Sequence, residues 1–193
     1  MNPRYPKTTS YKHRQGAAYY EAVRKKAEAI GREIARLERP GPLVEVGCLD
    51  CTLIQEIKGP WTERISIDIE SRPRLKGVRA YVSDFMELDP LIVLEEEPSL
   101  VYCLEVLEHV DDPISFAERL CEWVGHGHLI VTIPYKWGPT PLRPYPKELG
   151  YADWVGHKHD HLDESHLTEW IGVEPHEIQH PGSWLMGYWD FAK

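Results

Sequence analysis

No apolar run in this 193-residue chain approaches the length of a membrane span, so nothing in it reads as a transmembrane helix. The leading residues, MNPRYPKTTSYKHRQG, are polar and lack the apolar core of a secretory signal, and a cytoplasmic location is the expectation. Positive charge is in deficit. The chain has 22 Lys and Arg against 31 Asp and Glu, a net charge of −9, which argues against sequence-independent binding to a nucleic acid backbone. Cysteine is scarce, with four residues in all. Cys48 and Cys51 form a CxxC pair, but Cys103 and Cys121 lie far from it and from each other. The second close pair that a zinc site needs is therefore missing. A redox pair at a helix start stays open, and small buried thiols are the simpler expectation.

What is present is ordinary for a globular protein: 42% hydrophobic and 27% charged residues, in a length that predicts a single domain over 1–193 with a real core. The charge is unevenly spread. Residues 1–39 carry ten Lys and Arg against four Glu, or +6, which leaves 12 against 27, or −15, for the rest. This predicts a basic N-terminal helical segment leaning on an acidic body, with a docking surface for an anionic group as the alternative.

Residues 17–38 place Ala22, Val23, Ala27, Ile30, Ile34 and Leu37 at helical spacing before Pro40, Gly41 and Pro42 stop the run. Strands are then predicted at 43–47, 64–70, 78–84, 99–105 and 128–134, with helices at 52–58 and about 89–95. Asp50 is placed to cap the first of these helices. Asp112-Pro113 opens the most legible helix, ending near Trp123 and turning Ile114, Phe116, Ala117, Leu120 and Cys121 inward. Residues 135–163 lose all periodicity and read as a substrate lid or insert. A short helix from Asp163 or Ser165 through Trp170 follows, then strands near 176–180 and 184–191 joined by Pro181-Gly182. Near-continuous apolar strands alternating with helices predict an α/β fold with a doubly wound, mostly parallel sheet and a C-terminal antiparallel hairpin at one edge.

In open parallel sheets, ligands sit beyond the carboxyl ends of the strands. That picks out Glu45, Gly47 and Asp50 in LVEVGCLDC, Asp68 after the second strand, Asp84 and Phe85 after the third, and Leu104 and Glu105 after the fourth. Gly47 lets backbone approach a ligand, Asp68 can accept both hydroxyls of a ribose, and Phe85 can lie against a flat base. The fourth strand runs into EVLEHV at residues 105–110, followed by Asp111-Asp112-Pro113.

With these residues the sequence resembles class I S-adenosylmethionine-dependent methyltransferases, from about Leu43 onward. The likeness is greatest to the small-molecule branch with the EVLEHV segment. The resemblance implies a Rossmann-like, seven-stranded sheet and S-adenosylmethionine as cofactor. It implies that Glu45 and Gly47 hold the methionine end, with Asp50 shaping the turn, and that Asp68 takes the ribose. Asp84 and Phe85 would meet the adenine, and Leu104 and Glu105 the amino-acid part beside the methyl. The family's turn commonly carries three glycines, and this chain has Leu49 and Cys51 at the second and third, which predicts weakened cofactor binding.

The expected reaction is methyl transfer to an oxygen or nitrogen of a small-molecule acceptor such as a sugar or secondary metabolite. His109 and His161 are the candidate bases for an acceptor that must lose a proton, with a structural role for His109 as the alternative. Expected partners are that small molecule and, as an option, a second copy of the chain as a homodimer, with neither nucleic acid nor membrane. The alternating run His157-Lys158-His159-Asp160-His161, with Asp163 nearby, has the residue types to hold a divalent metal, but no metal ligand is assigned from sequence. Trp137, Tyr145, Tyr151 and Trp154 could wall a substrate pocket, with Arg143 or Lys147 meeting an anionic group. Tyr19 and Tyr20 either cap the cofactor or pack on the sheet. Two further readings are a non-catalytic binding protein on the same fold and, more distantly, a metal-dependent hydrolase.

Overall fold

Strands form where several consecutive residues are apolar, because a strand covered on both faces has no solvent side to make polar. A computed structural model describes residues 14–47, 52–70, 75–136 and 157–192. Its strands are β1 (Leu43–Val46), β2 (Arg64–Asp68), β3 (Arg79–Val82), β4 (Leu100–Leu104), β5 (His128–Pro134), β6 (Glu177–Gln179) and β7 (Trp184–Asp190). The helices are α1 (Arg14–Leu37), α2 (Thr52–Glu56), α3 (Pro90–Val93), α4 (Pro113–Val124) and α5 (Glu164–Ile171). Every residue of β1, β4 and β5 is buried, whereas the edge strand β3 alternates half-buried and exposed positions.

The strands form one seven-stranded sheet in the order β3-β2-β1-β4-β5-β7-β6. Pairing is parallel from β3 through β5 and antiparallel at β5–β7 and β7–β6. The predicted hairpin is therefore at one edge, but its antiparallel member is not the edge strand. β7 inserts between β5 and β6, because its seven residues are long enough to pair with all of β5 while β6 offers three.

Alternation along each strand divides the core in two. Val44, Val46, Ile65, Ile67, Val101, Cys103, Leu129 and Val131 face α4 and α5, and Trp123, Trp170 and Trp189 close that layer. Leu43, Leu100, Tyr102, Leu104, Ile130 and Met186 face α1 and α2, meeting Tyr19, Val23, Ala27, Ile30 and Ile34. Two residues predicted inward are not: Leu37 and Ile114 are exposed, each standing on its helix where the next layer has ended. The cysteines of the described residues are free thiols, Cys103 buried and Cys121 half-buried. Cys48 and Cys51, with Leu49 and Asp50, lie outside the described residues.

Capping follows the sequence. Asp89, Asp112 and Asp163 each accept a backbone N–H at the start of α3, α4 and α5. The basic helix α1 is partly neutralised in place. Arg24 pairs with Glu21 and Glu28, and Lys26 reaches Glu177 at 2.6 Å while lying over the Tyr188 ring. Arg32, Arg36 and Arg39 stay exposed along the same segment. Among the described residues no helix is long and apolar enough to cross a membrane.

Candidate active site

The parallel register sets the site. Val46 stands level with Ile67 on one side and Cys103 on the other, so the next residues, Gly47, Asp68 and Leu104, end three adjacent strands in one row. The Gly47 N–H continues the ladder to the Ile67 carbonyl at 2.9 Å. Gly47 then turns the chain at φ 76°, a conformation that favours glycine. Space gives a second reason for glycine: a Cβ there would lie 2.1 Å from Val106 Cγ2.

Glu45 and Asp68 project to the α1 side of the sheet, and both are buried polar residues. Glu45 lies against Tyr102, whose phenol is pushed well above its usual range by burial and, next, by the Glu45 charge. Asp68 accepts the Glu70 N–H on Oδ1 at 2.8 Å, which fixes the carboxylate at the strand end. Asp84 lies two residues beyond β3, exposed, accepting the Met86 N–H at 2.9 Å.

Phe85 corrects an expectation. Its ring is 3% exposed and packs in the α4 layer, with ring centres 5.2 Å from Phe116 and 5.0 Å from Trp123. An aromatic side chain following a strand-end acid gains more from a closed core than from a solvent-facing pocket. The ring is thus not presented outward, and the exposed apolar side chain beside Asp84 is Met86.

Glu105 is the most constrained residue of the group. It ends β4 with a φ of 56°, unusual for a side chain other than glycine, and its N–H donates to the Thr132 carbonyl at 3.2 Å. Trp184 Nε1 donates to its carboxylate, and the Thr132 hydroxyl reaches it at 3.5 Å. Tyr19 hydrogen-bonds Thr132 at 3.0 Å and stacks on Trp184. Tyr19 is therefore buried as part of the Glu105 support. Thr132, Trp184 and Tyr19 belong to three separate elements, and no local pattern marks them as partners.

Burial pushes the Glu105 carboxyl up to about 8, against the pull of the Trp184 and Thr132 hydrogen bonds. Its titratable neighbours are Tyr19 and Glu108. The folded value is above the ordinary carboxyl value, so this group's stabilising contribution is complete below the unfolded value and is lost as pH rises through about 8. In the presence of a chelator, the melting temperature should fall between pH 5 and pH 8, and Glu105→Gln should flatten the slope. An equal slope in the variant would remove Glu105 as its source.

Beyond Glu105, a single 3-10 turn at Leu107–His109 buries Glu108 completely. Neither carboxylate oxygen of Glu108 has a hydrogen-bond partner among the described residues. Burial, and secondarily the Glu105 charge, holds this carboxyl well above the usual range. His109 Nε2 stands 3.9 Å from it. The segment that follows the undescribed residues 137–156 is fastened here: Lys158 N–H and His159 N–H donate to the Glu108 carbonyl at 2.7 and 3.3 Å. His159 Nε2 lies 3.0 Å from the Val110 carbonyl, and Lys158 pairs with Asp111. His157 is thereby brought edge-on to His109, with ring centres 4.7 Å apart. His157, not His161, is the histidine that the fold delivers to His109; His161 is exposed, at φ 58°. Asp163 is engaged in capping α5 and in bonding His166, so it leaves the alternating histidine run. The aromatic and basic lid residues named from sequence lie outside the described residues, as does Asp50.

The strand order and the reversed β7 define a doubly wound α/β architecture with a mostly parallel seven-stranded sheet. A family model described as "Methyltransferase domain" matches residues 14–180, and the chain belongs to that family. No curated protein sequence is similar enough to count as a relative. Among solved structures, the fold is similar to the N-methyltransferase NodS from Bradyrhizobium japonicum WM9, in complex with S-adenosylhomocysteine. There the identity is 13% and the TM-score 0.57, covering 87% of this chain and 85% of that one. It is also similar to a Burkholderia thailandensis 1,6-didemethyltoxoflavin-N1-methyltransferase holding the same product, at 16% identity and TM-score 0.57, covering 95% and 92%. The small RNA methyltransferase HEN1 aligns at 16% identity and TM-score 0.63, over 96% of this chain and 26% of that larger chain.

Proposed function

We propose that this protein is an S-adenosylmethionine-dependent methyltransferase that acts on an oxygen or nitrogen of a small-molecule acceptor, of the sugar or secondary-metabolite kind. The observation that carries the reading is the row Gly47, Asp68 and Leu104 at the ends of three adjacent parallel strands, with Glu45 buried two residues before Gly47. The fit to the cofactor is tested by Gly47: its positive φ turns the chain at the strand end, and its missing Cβ lets Val106, beside Glu105, pack directly on that turn. Glu45 and Gly47 would hold the methionine end, with Asp50 in the same turn. Asp68 would accept the ribose hydroxyls, and Leu104 and Glu105 would border the amino-acid part. The backbone at Asp84 and Phe85, with Met86, would meet the adenine in place of the Phe85 ring.

When bound, the cofactor supplies a methyl group on a sulfonium, already electrophilic, so the protein's part is alignment and exclusion of water. Asp68 orients through a carboxylate already fixed by Glu70. Glu105 is held by Trp184 and Thr132 just past the end of β4, where it would border the cofactor. His109, on the turn after Glu105, would be the side chain that faces the acceptor, and His161 is exposed further along the chain. One of the three similar structures described above is named for a small-molecule acceptor, 1,6-didemethyltoxoflavin, and the net charge of −9 favours a small acceptor over a nucleic acid.

Calorimetric titration with S-adenosylmethionine and S-adenosylhomocysteine tests the reading. Binding of both is expected, and no heat at high micromolar ligand would sink it, leaving a binding protein on the same fold. Asp68→Ala should weaken binding at least ~10-fold, because a buried ribose would lose its acceptor. Unaltered affinity would remove Asp68 from the site.

A further inference from the structure

We propose that Glu108, His109 and His157 form a binding site for one divalent cation of the borderline transition series. Each offers a ligand atom, and the three atoms lie within 4.8 Å of one another. The strongest sign is Glu108. A carboxylate with 0% exposure and two oxygens lacking any partner among the described residues is a costly arrangement unless something else satisfies it. The two oxygens have His109 Nε2 on one side, at 3.9 Å, and the His157 ring beyond it.

The site is built rather than accidental. His157 comes from a segment some fifty residues downstream, and three hydrogen bonds tie that segment to the backbone of Glu108 and Val110. Asp160 Oδ1 lies 3.9 Å from His157 Nδ1, the kind of outer carboxylate that orients a ligating imidazole. Metal–ligand bonds of about 2.0–2.1 Å place neighbouring tetrahedral ligands about 3.4 Å apart, so the three atoms need to close by about 1.4 Å at most. The His109 side chain, 38% exposed, is free enough to make that movement. Two imidazoles and one carboxylate select Mn, Fe, Co, Ni or Zn over Mg and Ca, which prefer oxygen alone. Three protein ligands leave a position open to water or to an oxygen of an acceptor. That last step rests on the methyltransferase reading, whereas cation binding itself does not.

Untagged protein, stripped with a chelator and returned to chelator-free buffer, is titrated separately with Mn²⁺, Co²⁺, Zn²⁺ and Mg²⁺ chlorides. Heat is recorded, and Co²⁺ binding is also followed by visible absorption. One equivalent of Mn²⁺, Co²⁺ or Zn²⁺ should bind, with Mg²⁺ much weaker. Glu108→Gln and His157→Ala should each weaken binding ~10-fold or more, and His126→Ala, at an exposed histidine elsewhere, should leave it unchanged. Should Glu108→Gln fold poorly, His109→Ala and His157→Ala carry the test from partly exposed positions. Absence of binding at millimolar metal would overturn the proposal. So would binding that survives both Glu108→Gln and His157→Ala. S-adenosylmethionine titration of the same metal-free protein is a separate readout, so a failed cation site and a failed methyltransferase reading give different results.

Discussion

Gly47→Ala should destabilise the fold by roughly 2–4 kcal/mol, combining the cost of a left-handed backbone for alanine with that of an overpacked contact. The new Cβ would stand 2.1 Å from Val106 Cγ2, and valine has few rotamers with which to retreat. Val106 Cβ itself stays 3.5 Å away, so a change of its rotamer relieves the overlap in part and sets the lower end of the range. Urea unfolding followed by circular dichroism measures the loss. Adding Val106→Ala to Gly47→Ala should recover the steric share and leave the backbone share, a coupling that a double-mutant cycle isolates. Cofactor binding should fall further than stability, since the same turn would border the ligand. A variant with an unchanged unfolding midpoint would mean that the strand end is not shaped as described.

Trp123→Ala should cost about 3–5 kcal/mol, the range for emptying a buried indole from a core. Trp123 is 1% exposed on the inner face of α4, and its ring holds Phe85 in place beneath the backbone beside Asp84. Its Nε1–H has no partner among the described residues. Trp123→Phe therefore removes an unsatisfied donor, a gain of about 1–3 kcal/mol, while losing less volume, and should be far milder. The two variants separate packing from polarity. In the alanine variant, S-adenosylmethionine affinity should also drop, because loosening Phe85 releases the turn proposed to meet the adenine. Equal stability of the two variants would contradict this account.

Much of the architecture was legible because the central strands are mostly apolar and three helices begin at an aspartate, two of them with proline following. LVEV, LVYCL and HLIVTIP are buried at every position and so have no solvent face to misplace. The place of β7 was not legible. Pro181-Gly182 predicts only that β7 pairs with β6, and which of the two then meets β5 depends on length and on a distant strand. Periodicity also overreached at Leu37 and Ile114, since an apolar residue at the right spacing stays exposed where nothing is packed opposite.

The site divides in the same way. The strand-end positions of Gly47, Asp68 and Glu105 could be read from sequence because strand ends are local features. Thr132, Trp184 and Tyr19 could not, as only the sheet order brings β5, β7 and α1 to one carboxylate. The choice between His157 and His161 was equally hidden. The run of alternating histidines looks uniform, and the selection is made by backbone hydrogen bonds to Glu108 and Val110. Phe85 shows the reverse error, where a plausible ligand contact is a core residue.

The inserted position of β7 has a consequence for biosynthesis. β5 ends at residue 134 and β7 starts at 184, so the ribosome must add 50 residues before β5 can acquire its second neighbour. At ~5–20 residues per second that interval is roughly 3–10 s. Throughout it, the nascent chain carries HLIVTIP as an open edge without a charged gatekeeper among its apolar residues. Growing chains on neighbouring ribosomes are then each other's most available partners, and the yield of folded protein depends on how quickly the chain is finished.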